Sequence, residues 1–148
     1  MKWIVFFVIP LLVVGCGGQV VEEIKEGKRH LQHVSLVGAD LSGMDLNNAD
    51  FANSNLKNCN LEKTNLKGSK LVSVNFQGAY LDNANLEDTD CRGTDFLHAH
   101  LEQAQFKGAD LTHARFHGAN VKKTDFRESS GLTDEMKKYL ADKGAFVE

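Results

Sequence analysis

From Leu31 to Phe126 an apolar residue returns at every fifth position without one insertion or deletion. A helix repeats every ~3.6 residues and a strand every two, so a strict period of five demands a short extended piece and then a bend in each repeat. The centres are Leu31, Leu36, Leu41, Leu46, Phe51, Leu56, Leu61, Leu66, Leu71, Phe76, Leu81, Leu86, Cys91, Phe96, Leu101, Phe106, Leu111, Phe116, Val121 and Phe126. Two residues before each centre from Leu36 onward stands a mostly small residue: Ala in nine of nineteen cases, Ser or Thr in six, and otherwise Val34, Met44, Cys59 or Val74. Arg29 occupies that place before Leu31, so the first full repeat begins at Val34. Residues two apart on an extended piece face the same side, which turns the small residue and the centre inward together. The residue between them, Asp or Asn in thirteen of nineteen cases, faces outward. Gly38, Gly43, Asn53, Gly68 and Gly78 follow their centres at positions suited to turns. Regular bends with every large apolar group inward describe a solenoid filled by its own side chains.

The runs Ala39-Asp40-Leu41, Ala49-Asp50-Phe51, Ala84-Asn85-Leu86 and Ala109-Asp110-Leu111 resemble the signature of the pentapeptide-repeat family. That resemblance implies an all-β solenoid, a right-handed quadrilateral β-helix with four repeats per coil. About five coils would stack ~4.8 Å apart, with residue i beneath residue i+20. Phe76, Phe96 and Phe116 would then form one aromatic stack and Phe106 and Phe126 another. An open end would expose unpaired strand edges, so both ends should be covered. At the C-terminal end, Thr133 to Lys143 reads as a short helix with Thr133 as N-cap, acidic residues in its first turn, and Met136, Tyr139 and Leu140 on one face. At the N-terminal end, Gly17 to Glu26 reads as a linker that offers Val20, Val21 and Ile24 to the first coil. The expected divisions are 1–15, a leader; 16–30, a linker or cap; 31–130, the β-helix; and 131–148, the capping helix and tail.

Trp3 to Val14 is apolar apart from Pro10 and follows a single Lys. It is too short to cross a hydrocarbon core of ~30 Å comfortably and reads as a signal-peptide h-region. The run stops at Val13-Val14-Gly15-Cys16, which resembles the lipobox of bacterial lipoprotein precursors. The resemblance implies a diacylglycerol on the Cys16 sulfur, cleavage before Cys16 and acylation of the new amino group. Several acyl chains at ~0.8 kcal/mol per buried methylene give a stable anchor where one chain is marginal. Gly17 after the cysteine, in place of Asp, implies the outer membrane facing the periplasm if the source is Gram-negative. With Cys16 lipidated, Cys59 and Cys91 fall on opposite walls of the solenoid and no disulfide is expected.

The sequence holds no Gly-rich phosphate loop, nucleophile elbow, His-Glu-x-x-His or Cys-x-x-Cys, so neither catalysis nor a cofactor is expected. His98, His100 and His117 come near one another on the four-sided scheme, but no Cys or carboxylate completes a metal-ligand spacing, and no metal site is assigned. The sharper candidate is the column Glu62, Asp82 and Glu102, twenty residues apart at one outward position. Stacked like charges are unfavourable unless neutralised, so the column invites a cation or a basic partner, with Lys63 and Lys123 as internal counter-charges. Lys67, Glu87 and Lys107 alternate in sign and suit a self-satisfied face. Val37, Val72, Tyr80 and Leu97 are scattered outward apolar groups.

A net charge of −3 is too mild to name a polyanionic or nucleic-acid partner. Some members of the family mimic DNA and bind topoisomerases in the cytoplasm. Twelve acidic against nine basic residues between Leu31 and Phe126 argue against that alternative, as does the export signal. The sequence therefore suggests a non-enzymatic, membrane-anchored lipoprotein. It would meet an unidentified protein partner in the cell envelope through a rigid wall, with a dimer also allowed.

Overall fold

A computed structural model describes residues 16–148. The leader, 1–15, lies outside the described residues, as does the side chain of Cys16, so the signal-peptide and lipidation readings rest on sequence. Every five residues the chain forms one parallel bridge with the coil above, from His30 with Asp50 and Ser35 with Asn55 onward to Asp110 with Ser130. The offset of twenty residues makes four walls, centred on Leu31, Leu36, Leu41 and Leu46 in the first coil and repeated through five coils. We number them first to fourth in that order. Each rung is closed by two amide bonds: Leu31 N donates to Asp50 O at 2.7 Å, and Asp50 N donates to Arg29 O at 2.7 Å.

The bend has one conformation throughout. In eighteen of the twenty bends, all but those at Leu31 and Leu86, the carbonyl of the centre accepts from the amide three residues on, as Leu36 O does from Ala39 N at 2.9 Å. The second residue after every centre, from His33 to Glu128, has positive φ. This is the geometry of a type II turn, which explains why Gly and Asn crowd that place.

The outward Asp and Asn residues have a specific task. All thirteen accept, through Oδ1, the amide hydrogen two residues on, at 2.9–3.3 Å, and so close the first half of each bend. At Asn85 the donor is Glu87 N, 2.9 Å away. Asn85→Ala should therefore cost about 1 kcal/mol in urea unfolding, while Asn85→Asp, which keeps the acceptor, should cost less than half of that.

The interior tolerates hydroxyls because each is spoken for. Ser54, Thr64, Ser69, Thr94 and Thr124 donate to the carbonyl of the centre 23 residues earlier, at 2.6–3.0 Å. Thr89 instead donates to Leu86 O at 2.7 Å. No buried side-chain nitrogen or oxygen among the described residues lacks a partner.

The centres are buried and form one continuous core. Phe76, Phe96 and Phe116 stack on the second wall at 5.4 and 5.0 Å, and Phe106 and Phe126 on the fourth at 4.9 Å. The two stacks also meet across the tube: Phe96 with Phe106, Phe106 with Phe116 and Phe116 with Phe126 are edge to face at 5.5, 6.0 and 5.2 Å.

Both ends are covered. At the start, helix α1, Cys16–Lys25, buries Ile24 and rests Val20 and Val21 on the core. Arg29, in place of a small residue, reaches from the end of α1 to Asp45 O at 2.9 Å. At the other end the chain leaves the last coil through Gly131, whose φ of +84° is left-handed and whose Cα lies so close to Thr112 that an added Cβ would sit 2.3 Å from its amide nitrogen. Helix α2, Asp134–Asp142, follows, with Thr133 Oγ1 accepting from Met136 N at 3.2 Å. Leu140 is buried. Beyond α2 the chain returns to the fourth wall, where Phe146 bridges Asp125: Phe126 N donates to Phe146 O at 2.7 Å and Phe146 N to Thr124 O at 2.9 Å. Among the described residues no helix is long and apolar enough to cross a membrane.

Candidate functional site

Whereas Ser35, Lys70, Gln105 and Arg115 break the Asx rule singly on the other walls, the third wall breaks it in two successive coils. Its outward bridge residues are Asp40, Asn60, Tyr80, His100 and Asn120. Two successive coils thus carry an aromatic ring where Asp or Asn would accept the turn amide. The rings stack on one another with centroids 4.6 Å apart and planes 19° apart, and Tyr80 remains 43% exposed. The lost acceptor is partly replaced from the coil beneath, since Glu102 N donates to Asp82 Oδ1 at 2.7 Å.

Asp82 therefore belongs to the backbone scaffold as well as to the acidic column. The column runs on into a counter-charge, Lys122, twenty residues beyond Glu102 at the same outward position, with Lys63 and Lys123 beside it, although none of Glu62, Asp82, Glu102, Lys63, Lys122 and Lys123 is in an ion pair among the described residues. Each of the other walls holds at least one ion pair. Arg92 pairs with Asp90 at 2.7 Å on the first wall, and Arg115 with Asp95 at 3.2 Å on the second. On the fourth, Lys67 pairs with Glu87 at 2.9 Å and Arg127 with Asp125 at 2.6 Å. Lys107, placed by sequence above Glu87, turns instead to Glu128 at 3.1 Å. The guanidiniums of Arg92 and Arg127 hold the Asp90 and Asp125 carboxyls below the usual carboxylate range.

The remaining candidates separate. Among the described residues no group of three or more His, Cys, Asp or Glu side chains converges as a metal site. His100 belongs to the Tyr80 stack, while His117 packs against Tyr139 of α2 at 5.2 Å, and Tyr139 Oη accepts from Gly118 N at 3.1 Å. Val37 is 53% exposed at the N-terminal end, far along the axis from Leu97, which is half-buried.

Cys59 and Cys91 are free and buried. Burial pushes the Cys59 thiol up to about 11 and the Cys91 thiol up to about 12, against an ordinary value of 9.0. A thiol that holds its proton in the folded state but loses it on unfolding stabilises the fold fully below pH 9, and that contribution drains away as pH rises towards the folded values. Thermal melts between pH 8 and 10.5 should therefore fall more steeply for the parent than for a Cys59→Ala, Cys91→Ala double variant.

The Asx-capped turns and four buried walls define a class, the parallel β solenoids with a five-residue unit. A model of the pentapeptide repeat region matches residues 27–86 and 69–133, and the chain belongs to the pentapeptide-repeat family. It is similar to a pentapeptide repeat protein of the Arabidopsis thaliana thylakoid lumen, with 27% identity and a TM-score of 0.75 over 82% of this chain and 88% of that one. It is also similar to HetL, a pentapeptide repeat protein involved in heterocyst differentiation regulation in the cyanobacterium Nostoc. The match there is 27% identical with a TM-score of 0.46, over 76% of this chain and 45% of HetL. No curated protein matches it.

Proposed function

We propose that the protein is a lipid-anchored, non-catalytic binding scaffold of the bacterial cell envelope. The observation that carries this reading is the apolar run ending in Val13-Val14-Gly15-Cys16, placed directly before a folded solenoid. Cys16 is the anchor, the membrane is the first partner, and the coils stand off from it as a rigid rod. The similar plant protein belongs to the thylakoid lumen, a precedent for a solenoid of this length working outside the cytoplasm.

A filled solenoid suits recognition better than turnover, because its interior is occupied by its own side chains and its chemistry lies on flat outer walls. Fractionation with palmitate labelling tests the anchor. The parent should label and sediment with membranes, and Cys16→Ser should do neither. A soluble, unlabelled parent would refute the envelope reading.

A further inference from the structure

We propose that the groove between α1 and the foot of the third wall seats one of the acyl chains carried by Cys16, so that the solenoid stands on the membrane at a fixed angle instead of swinging from a tether. The inference deepens the lipid-anchor reading and rests on it.

The cap at the start of the solenoid is incomplete. From Ala49 to Ala109 every residue of the inward layer two places before a centre is buried, whereas Ala39 and Met44 of the first coil are only partly buried. Helix α1 lays Ile24 over the coil but turns Gly17, Gly18 and Val21 towards these two residues, across a groove of about 540 Å3. The groove is lined by Val21, Ala39, Met44 and Val37, the most exposed large apolar side chain among the described residues. The polar groups along its edge are already engaged with one another: Glu22 pairs with Lys25 at 2.7 Å, and Asp40 Oδ1 accepts from Ser42 N at 3.0 Å. Such a site selects an apolar ligand over a charged one.

The point of attachment says which apolar ligand. Helix α1 begins at Cys16, so a lipid there joins the folded body with no linker between, and the next two residues, Gly17 and Gly18, line the groove. Packing does not demand glycine at position 17, where an added Cβ would meet nothing nearer than Ser35 O at 3.7 Å. Glycine is a weak helix former, yet two of them in the first turn of α1 leave the path from Cys16 into the groove clear of side chains. A methylene loses little in passing from a bilayer to an apolar groove, and the lining that it covers is withdrawn from water. Held by its own attachment, the chain meets the groove at an effective concentration on the order of millimolar. The remaining chains stay in the bilayer as the anchor.

The test is photocrosslinking in bacteria that make the full chain and are fed a palmitate analogue with a diazirine near its end. After irradiation of the membranes, the purified protein is digested with trypsin and its products are read by mass spectrometry. The lipopeptide 16–25 should be joined to the peptide 30–57, which carries Val37, Ala39 and Met44. Val37→Asp puts a charge on the groove lining at an exposed position and should cut that product about fivefold. The control, Val72→Asp at the matching outward position on the first wall, should leave it unchanged. Equal product in Val37→Asp, or adducts of a labelled parent confined to phospholipid, would overturn the groove and leave the anchor standing. A parent that takes no label would overturn the anchor reading itself, and the groove with it.

Discussion

Replacing Phe96 with alanine is expected to destabilise the protein by about 4 kcal/mol, within the range for emptying a buried phenylalanine site. Phe96 is fully buried and touches three other rings, stacked on Phe76 and Phe116 and edge-on to Phe106. Its neighbours are fixed by backbone rungs above and below, so they cannot close over the void. Among the described rings Phe76 meets only Phe96, and Phe76→Ala should cost about 1 kcal/mol less. Urea unfolding followed by far-ultraviolet circular dichroism measures both. A solenoid coil touches only the coils next to it, so a lesion in the fourth coil should also uncouple the last coil from those before it. The Phe96→Ala transition should be broader than that of the parent, and amides of the last coil should exchange before those of the second. An unchanged midpoint would mean that the rings do not pack as described.

Leu140→Asp is expected to release the C-terminal cap. Leu140 is the buried residue of α2, seated on the end of the core, and a carboxylate there would have neither water nor partner. The cost should be about 4 kcal/mol, close to that of other unpaired buried charges. The returning segment should be lost with the helix, since the rung between Asp125 and Phe146 depends on α2 to bring the chain back. The freed edge of the fourth wall is then a template for another chain. Light scattering on a sizing column should show concentration-dependent growth in mass for Leu140→Asp and the mass of the parent for Leu140→Met, which keeps volume and polarity and should cost less than about 1.5 kcal/mol.

The body of the fold was legible because one physical requirement, an inward apolar group at each bend, is written twenty times in register. The vertical rings of Phe76, Phe96 and Phe116 followed from the twenty-residue offset alone. Their edge-on contacts with Phe106 and Phe126 did not, because these depend on the distance across the tube, which no local pattern encodes. Thr133 was readable as an N-cap since capping is a local bond. The return of Phe146 to the fourth wall was not, because a single rung of Ala145, Phe146 and Val147 carries no period. Nor was α1, in which Gly17 and Gly18 suggested a linker while Val20, Val21 and Ile24 in fact make one face of a helix against the first coil.

The candidate wall was half legible. Glu62, Asp82 and Glu102 stand out through their common offset, but in sequence Tyr80 reads as one scattered apolar group and His100 as one of three neighbouring histidines without a metal-ligand spacing. Their pairing was in principle visible. They stand twenty residues apart at a position given to Asp or Asn in thirteen of nineteen repeats, and the missing clue is the hydrogen-bonding task of that position.

The fixed offset between coils gives this gene product something like a reading frame. Lengthening the protein by twenty residues would add one storey and leave each later side chain facing the compass point it faces now. Lengthening it by five would keep every centre inward, yet would swing the remainder of the tower through a quarter turn and break the vertical file of carboxylates between two faces. Natural length variation in such proteins should therefore be tolerated by the core in steps of five and by a partner only in steps of twenty.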